Sequence, residues 1–577
     1  MAGAYLTLTL DENAFYVALC KRLVLHNECC KATYSNDEAT KIQRFDMFFA
    51  IREMVLVGSL SYQAYQSSYL VPREGLNNLN AAFLILACWV TPLAQVLLRQ
   101  STALSRVVPL FSSFVLCTFL AKAVHGILVK SYKYMFDIDH AVFAARMFYD
   151  PTFVSILVPE NRMMFATTVG DYISKLLPHI CSFVTLIMLE GNISRRSEKV
   201  TPRTCASTNQ IEILDAPSAT GDALIETGDG TKAVAESRNG EKAATATPMK
   251  NPGSAWPFLV IKFLFIVWGA IVLALHVTAQ SRHKVAPLGC FRVTHPWFTS
   301  NVSCLGLVYD CAIQGTPSPT NEAFDAMKLE SKTLGSLSFT HCPALIVPNA
   351  IQSFPNIYSV HIFNSTLYSW GSSAALVEDH HHHLVSVVLI YVKLAAFPEG
   401  LMSRLPPTLV NLQFFATSLP SVPSDLGTRW GVGRNPISRV GFEYGMLTTI
   451  PAETFQLPVK SLSLAGNYLY AIPQLSAVAA KTYLPQLILD GNPVLTLPAT
   501  VDPTFMIGNL CIEGSKLSAL PSWTQTQVLS KMFLYESAFC FNTTAAQQEA
   551  NNSICSVSHW GSTKPKSPIV LMQEVYG

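Results

Sequence analysis

Asp379 is followed by four consecutive histidines, His380 to His383, the densest group of potential metal ligands in the chain. Imidazole and carboxylate groups this close together can bind a transition metal. The run stands directly before a predicted strand, where a surface loop belongs, so a solvated loop with incidental metal affinity is the simpler interpretation. We therefore predict no resident metal and no other cofactor.

Three ionisable residues interrupt apolar segments: Lys122, His125 and His179. Ionisable groups inside a bilayer often mark a transport path, but helix packing, or a charged end reaching the membrane surface, is the simpler explanation. The sequence contains no motif for phosphate binding, serine hydrolysis, zinc proteolysis or kinase activity. We therefore expect no enzymatic activity.

The cysteines indicate disulfides rather than a zinc site, because none of the 14 forms a C-x-x-C pair. Five of them flank a leucine-rich segment and are predicted to form disulfide caps: Cys290, Cys304, Cys311, Cys540 and Cys555. Spacing does not give their connectivity. Cys342 and Cys511 lie inside that segment and are predicted to stay reduced. Disulfide caps imply an oxidising, exoplasmic compartment.

Glycosylation sequons weakly favour the same side of the membrane. Four N-x-S/T sequences in the C-terminal half are predicted acceptors: Asn301, Asn364, Asn542 and Asn551. If these sites are used, this half of the chain lies outside the cytoplasm.

The leucine-rich segment repeats the frame L-x-x-L-x-L-x-x-N-x-L-x-x-L-P, the leucine-rich-repeat signature. The clearest copy is VKSLSLAGNYLYAIP, which ends at Pro473. Eight copies place an anchor residue every 22 to 28 positions, at Leu337, Val360, Val387, Leu412, Val440, Leu462, Leu487 and Leu510. Alternate apolar residues face inward from a short strand, and stacked copies share one core. The frame predicts an α/β leucine-rich-repeat solenoid, a horseshoe with parallel strands on its concave face.

The strand positions beside the inward leucines form the concave face, the usual binding surface of a solenoid. In the middle repeats they predict a patch that binds a protein or peptide, made of His361, Phe363, Ile390, Tyr391, Gln413, Phe415 and Tyr444. Further on, the same columns become small and acidic, with Ala465, Asp490 and Glu513. The alternative is that the degenerate frames place the aromatic residues in the core.

Composition indicates a membrane protein. Half of the 577 residues are hydrophobic and only 14% are charged, whereas soluble domains carry about 25% charged residues. Four segments are apolar and close to the ~20 residues that cross a bilayer: 79–98, 108–129, 173–189 and 257–279. A fifth, 45–65, contains Arg52 beside Glu53; it would span if these charges are paired or face protein, and the alternative is that it lies in the membrane interface. The net charge of +2 gives no reason to expect nucleic-acid binding.

These segments define the predicted organisation. It comprises a cytoplasmic segment 1–44, membrane helices within 45–189, a disordered cytoplasmic loop 190–256, a last span 257–279, an N-terminal cap 280–330, repeats 331–532, a C-terminal cap 533–556 and a flexible tail 557–577. The loop is predicted to be disordered because it is polar and nearly free of aromatic residues. Lys and Arg are divided almost evenly between the two sides, so the exoplasmic placement depends on the cysteines and sequons.

The N-terminal half also carries a family resemblance, in three segments: FFAIREMVLVGSLSYQAYQSSYLVPREGLNNLNAAFLILACWVTPL, MFDIDHAVFAAR and PENRMMFATTVGDYISKL. The resemblance extends into the C-terminal half through CFRVTHPWF and the Cys540 and Cys555 pair. On these residues the chain resembles the oomycete (Phytophthora-type) multi-pass membrane proteins with an exoplasmic leucine-rich-repeat domain. The resemblance implies a receptor-like protein of the plasma membrane or an endomembrane. Its signalling would need a co-receptor, another partner or the 190–256 loop, because no kinase domain follows the repeats in this sequence.

A transport function is the alternative. Volume-regulated anion channels of the leucine-rich-repeat type also place four spans before their repeats, and this chain resembles them in that order. Their first exoplasmic loop is long, whereas about nine residues separate the first two predicted spans here. We therefore expect a membrane-anchored recognition protein, with a channel or transporter carrying a regulatory repeat domain as the alternative.

Overall fold

The structure is a computed structural model that describes residues 36–98, 107–109, 111–112, 136–137, 142–143, 151–164, 166, 168–198, 256–282, 286–430, 436–475, 483–542 and 553–559. The chain divides into two compact units, residues 1–56 and 57–577. The long helices of the described part are α1 (Asn36–Leu70), α2 (Glu74–Leu97), α3 (Pro151–Met164), α4 (Val169–Glu198) and α5 (Trp256–Arg282). A short antiparallel ribbon of β1 (Phe136–Asp137) and β2 (Val142–Phe143) precedes α3 in the chain.

Helix α2 and the Leu259–Arg282 part of α5 are, among the described residues, the two helices long and apolar enough to cross a membrane. The two helices pack against each other, and polar contacts join their otherwise apolar faces. The indole nitrogen of Trp89 donates to the carbonyl oxygen of Ile266 at 3.2 Å, and His276 Nε2 lies 2.8 Å from Asn78 Oδ1. Gly269 permits the close approach, because a Cβ atom there would clash with the Trp89 ring. The predicted spans 79–98 and 257–279 are therefore helical.

The other predicted spans differ from these two. Segment 173–189 is helical within α4, but α4 does not meet the same test of length and hydropathy. Segment 108–129 lies outside the described residues except for positions 108, 109, 111 and 112, which are helical. Segment 45–65 lies within α1, and there Arg52 and Glu53 form a buried ion pair with each other. The pairing meets the condition for that segment to enter a bilayer, and the multi-pass arrangement remains a prediction.

Two predicted irregular segments begin or end in helix. Helix α4 continues to Glu198, so positions 190–198 of the predicted disordered loop are helical, and positions 199–255 lie outside the described residues. Residues 36–44 of the predicted N-terminal segment belong to α1. In both places the helix extends past the apolar stretch into polar residues.

The C-terminal part of the chain is a solenoid built on one long sheet. Its strands are β3 (Cys290–Val293), β4 (Cys304–Asp310), β5 (Ser336–Thr340), β6 (Leu345–Ile346), β7 (Ser359–Ser369), β8 (Ser386–Leu394), β9 (Asn411–Phe415), β10 (Ile437–Glu443), β11 (Val459–Ser463), β12 (Tyr483–Ile488), β13 (Met506–Cys511) and β14 (Val528–Phe533). From β4 to β14 neighbouring strands are parallel and follow chain order, with β6 beside β7; β3 closes the N-terminal edge as an antiparallel strand. Parallel neighbours joined by short returns are the architecture that the repeat frame predicts.

The register places the predicted anchors in one row across the sheet. Paired positions run Leu307, Leu337, Val360, Val387, Leu412, Val440, Leu462, Leu487, Leu510 and Met532. The row therefore contains the eight anchors and extends by one strand at each end. Strand β4 lies within the segment predicted to be only a cap. Four of the returns between strands contain a 3₁₀ turn: Asn349–Ser353, Ser372–Ala374, Glu399–Leu401 and Ala452–Gln456.

Asparagine residues fix the turn out of the later strands. The Asn467 amide donates to the carbonyl oxygens of Phe442 and Leu464 at 2.7 and 2.8 Å, and its Oδ1 accepts from Leu447 N–H at 3.2 Å. Asn492 makes the equivalent contacts one repeat later. Buried backbone groups that cannot pair within the sheet are thereby hydrogen-bonded, and consecutive repeats are tied together.

The residue before the asparagine position is left-handed in nine consecutive repeats. Their φ values lie between +44° and +69°, at His341, Asn364, Tyr391, Ala416, Tyr444, Gly466, Gly491, Gly514 and Glu536. Only three of these positions are glycine, so six side chains project from a conformation that L-residues rarely adopt. In β7 and β8 this position lies within the strand, and in the other seven repeats it follows the end of the strand.

Both ends of the solenoid carry disulfides. The pairs are Cys290–Cys304 and Cys311–Cys342 at the N-terminal end and Cys540–Cys555 at the C-terminal end. The prediction that Cys342 is reduced is wrong: the additional strand β4 lies beside β5 and brings the Cα atoms of Cys311 and Cys342 to 4.9 Å. Cys511 is a buried free thiol, as predicted.

Candidate binding surface

The middle of the concave face is buried. The side chains of the predicted patch are placed on one face by the register, but His361, Phe363, Ile390, Gln413 and Phe415 are each at most 4% exposed. Of the seven predicted contact residues, only Tyr391 and Tyr444 are exposed. The expectation of an open aromatic patch is therefore wrong for the five buried residues in this structure.

Neighbouring side chains account for part of that burial. The Tyr444 ring lies 4.9 Å from the Phe415 ring, and the His341 ring meets Phe363 edge-on at 5.9 Å. Both covering residues occupy the left-handed position, from which a side chain reaches back over the neighbouring strand. His361 is held by a 2.9 Å contact between its Nε2 and Ser359 Oγ.

A different set of apolar side chains is exposed on the later repeats. It lies where the chain leaves β10, β11 and β12, and each member is between 50% and 64% exposed: Tyr444, Met446, Tyr468, Tyr470 and Leu495. We call these five residues the aromatic ridge. They stand at the variable positions around the conserved turn of the frame, where the fold requires no apolar residue.

The ridge is continuous across three repeats. The Tyr444 ring lies directly over Gly466, whose Cβ, if present, would be 2.6 Å from that ring. Tyr468 N–H donates to the Leu447 carbonyl oxygen, and Leu495 N–H donates to the Tyr470 carbonyl oxygen, both at 2.9 Å. Adjacent repeats are therefore in backbone contact under the ridge. Contiguous exposed apolar surface of this kind commonly marks an interaction site.

Tyr444 is the member of this ridge that also belongs to the predicted concave patch. The other four residues lie outside the strand columns from which that patch was predicted, one or three positions after the asparagine position. The signal was present in the frame: N-x-L-x positions carry Tyr468 and Tyr470 in the copy that ends at Pro473.

The predicted glycosylation acceptors are accessible where the structure describes them. Asn301, Asn364 and Asn542 are exposed, and Asn551 lies outside the described residues. Asn364 is in the left-handed column of β7, three repeats before the first ridge residue, Tyr444. A glycan there would leave the ridge open.

The histidine run does not converge on one point. His381 is buried, with Nε2 3.3 Å from the Ile351 carbonyl oxygen, and burial lowers the pKa of its imidazole. His383 Nε2 lies 3.1 Å from Arg162 Nη2, and burial together with this cation lowers the pKa of His383 to about 4. His380 and His382 are exposed. The contact with Arg162 ties α3, which packs against β3, β4, β5 and β7, to the solenoid.

The three ionisable residues of the apolar segments do not form a described path. Lys122 and His125 lie outside the described residues, and His179 is on the exposed surface of α4. Polar side chains between the described helices bond to one another instead, as with Trp268 Nε1 and Ser61 Oγ at 2.9 Å. This arrangement is typical of helix packing in an apolar surrounding.

Comparison with known proteins gives matches in structure only. No family model matches the chain, and no curated protein does. The leucine-rich repeat domain of the type III effector XopL is 17% identical, with 46% of this chain and 83% of that chain covered and a TM-score of 0.30. Listeria monocytogenes InlP is 15% identical, with 40% and 62% covered and a TM-score of 0.28. A leucine-rich repeat protein from Bacteroides eggerthii is 15% identical, with 35% and 36% covered and a TM-score of 0.24. The assignment of a leucine-rich-repeat solenoid to this chain rests on its own register and repeat frame.

Proposed function

We propose that the chain is a membrane-anchored recognition protein whose solenoid binds a protein or peptide partner through the aromatic ridge. The observation that carries the proposal is the row of five half-exposed apolar side chains on three adjacent repeats. Tyrosine and methionine are enriched in protein interfaces and provide large contact areas. The ridge replaces the buried concave patch as the expected contact surface, with Tyr444 common to both.

Helix α5 supports membrane anchoring. Only 17% of its most apolar 18-residue stretch is buried against the rest of the protein, whereas the apolar core helix of a soluble protein is mostly buried. Leu259, Phe263, Leu264 and Ile271 are among its exposed side chains. Water would meet this surface unless lipid or another chain covers it.

The solenoid belongs, in this proposal, on the exoplasmic side. Three disulfides and three exposed sequons support that side. The start of α2 lies near the N-terminal cap, with Glu74 Oε1 3.7 Å from His295 Nε2, and α5 runs into the cap at its C-terminal end. Both helices would therefore present these ends to the exoplasm. A receptor-like role then requires a co-receptor or other signalling partner, and the membrane is the plasma membrane or an endomembrane.

Site-specific photocrosslinking tests the ridge. Benzoylphenylalanine is placed at Tyr468 or Tyr470 of the full chain in its native membrane, and at Tyr368 as the matched control. Tyr368 is an exposed tyrosine in the same column as Tyr470, four repeats earlier. We expect one adduct mass from positions 468 and 470, absent from position 368 and lost when Tyr444 and Met446 are changed to Ser. Adducts of equal yield from all three positions, or from none, would contradict the proposal.

A further inference from the structure

Two acidic residues and a histidine meet on the concave face of the last repeats. Asp490 and Glu513 follow β12 and β13 at equivalent positions, each directly before a left-handed glycine. His559 comes from the segment after the Cys540–Cys555 disulfide and places its ring between them. Its Nδ1 lies 3.1 Å from Asp490 Oδ2 and 3.0 Å from Glu513 Oε1. Residues 557–559 were predicted to belong to a flexible tail, so this placement of His559 corrects that boundary.

Hydrogen bonds satisfy three of the four carboxylate oxygens. Asp490 Oδ1 accepts the Glu513 N–H at 2.8 Å, Glu513 Oε2 accepts the Ser558 hydroxyl at 2.7 Å, and Glu513 Oε1 accepts the His559 N–H at 2.6 Å. Asp490 Oδ2 is buried and has no hydrogen bond. Asp490 is only 9% exposed. This oxygen points at the ring nitrogen that Glu513 already engages, and one N–H cannot serve both carboxylates well.

The surroundings make the unmatched negative charge costly. The adjoining floor is an apolar cluster of Ala465, Ile488 and Cys511, with Phe533 packed on it. Two neighbouring buried carboxylates favour a bound cation.

We propose that Asp490, Glu513 and His559 bind one divalent transition-metal ion of the zinc class, which fastens the C-terminal segment to the last two repeats. The ligands are Asp490 Oδ2, Glu513 Oε1 and His559 Nδ1, which all lie within 4.8 Å of one another. Zn²⁺ binds imidazole nitrogen and carboxylate oxygen at about 2.0–2.2 Å, so one ion reaches all three atoms after small side-chain shifts. The imidazole nitrogen favours a transition metal over calcium and magnesium, which prefer oxygen ligands.

The binding experiment uses the full chain in detergent micelles, with His380 and His382 changed to Ala to remove the exposed part of the histidine run. The protein is stripped with EDTA, the chelator is removed, and ZnCl₂ is titrated at pH 7.5 by calorimetry. We expect one ion per chain, with His559→Ala and Asp490→Asn each weakening binding more than about 100-fold, because loss of a ligand should cost more than loss of an outer contact, which weakens metal binding about 10–100-fold. Ser558→Ala removes such an outer contact, the hydrogen bond to Glu513, but no ligand, and should weaken binding only about tenfold.

The outcomes separate a metal site from a proton-linked contact. Near-UV circular dichroism first establishes that each variant is folded. Binding that is unchanged in both ligand variants would place the ion elsewhere and overturn the proposal. No zinc binding by the unaltered site would also overturn it and leave only the contacts of His559 with Asp490 and Glu513. Equal losses in Ser558→Ala and His559→Ala would show that packing of the segment, rather than ligation, controls binding. None of these outcomes depends on the aromatic ridge.

Discussion

Replacing Asn467 by Ala should destabilise the solenoid far more than loss of one side-chain hydrogen bond. Asn467 is buried and contacts four backbone groups in two repeats. The Leu464 carbonyl oxygen would keep the bond from Asn492 Nδ2 and the Ala465 carbonyl oxygen the bond from Tyr444 N–H, both at 2.8 Å. The Phe442 carbonyl and the Leu447 N–H are therefore the groups at risk. A buried unsatisfied polar group costs about 1–3 kcal/mol. Two such groups give a loss of about 2–6 kcal/mol in the free energy of unfolding.

Urea denaturation of the full chain in detergent micelles, followed by tryptophan fluorescence, measures this loss. With a urea dependence of about 3 kcal/mol per molar, the midpoint should fall by roughly 1–2 M. Asn356→Ala is the matched control, because Asn356 makes one exposed hydrogen bond, to the Lys332 carbonyl oxygen, and should cost under about 1 kcal/mol. Midpoint changes of equal size in the two variants would refute the role assigned to the asparagine position.

Three further predictions concern backbone strain, a disulfide and pH. Gly466→Ala should lower the free energy of unfolding by more than the roughly 1–2 kcal/mol of a left-handed alanine, because its Cβ would clash with the Tyr444 ring. Gly315→Ala, equally left-handed but in open space, should lower it by the backbone strain alone. Melting temperatures compare the two variants, and equal shifts would exclude the clash. Cys342→Ser should lower stability by about 3–4 kcal/mol, as expected for a 31-residue loop. Reductant should still destabilise this variant, but by less than the unaltered chain, because the Cys290–Cys304 disulfide remains; an undiminished effect of reductant would contradict the pairing. Burial raises the pKa of the Asp490 carboxyl from 3.8 to about 6. Its contribution to the free energy of unfolding is therefore greatest below pH 4 and is lost as pH rises through 6, and the total change is at most about 3 kcal/mol. Melting curves in EDTA from pH 4 to 7 should therefore fall less steeply for Asp490→Asn, and parallel curves would contradict the assignment.

The repeat frame predicts the solenoid closely because its determinants are local and periodic. An inward leucine every 22–28 residues must face the shared core, so the anchors from Leu337 to Leu510 fall into one row of the sheet. Strand β4 escapes the frame, since CLGLVYD is not followed by the leucine–proline return. That omission also hides the pairing of Cys342 with Cys311, which depends on β4 lying next to β5.

The binding surface was harder to predict because exposure depends on contacts between distant segments. The frame identifies which side chains leave the concave side of a strand, but it does not show that Phe415 is covered by Tyr444. In the same way, nothing local to His559 indicates that it reaches Asp490 and Glu513, which lie 69 and 46 positions earlier. Length and hydropathy identify α2 and α5, while the paired charges Arg52 and Glu53 show why α1 is ambiguous by hydropathy alone.

The side of the membrane on which the solenoid lies tests the proposed function most directly. Sealed vesicles of defined orientation are treated with protease from outside, and the intact chain is treated separately with an N-glycosidase. The account predicts that the solenoid is digested only when the exoplasmic face is exposed, and that the glycosidase increases gel mobility through loss of glycans at Asn301, Asn364 or Asn542. A solenoid digested only from the cytosolic face, with no mobility shift, would contradict it.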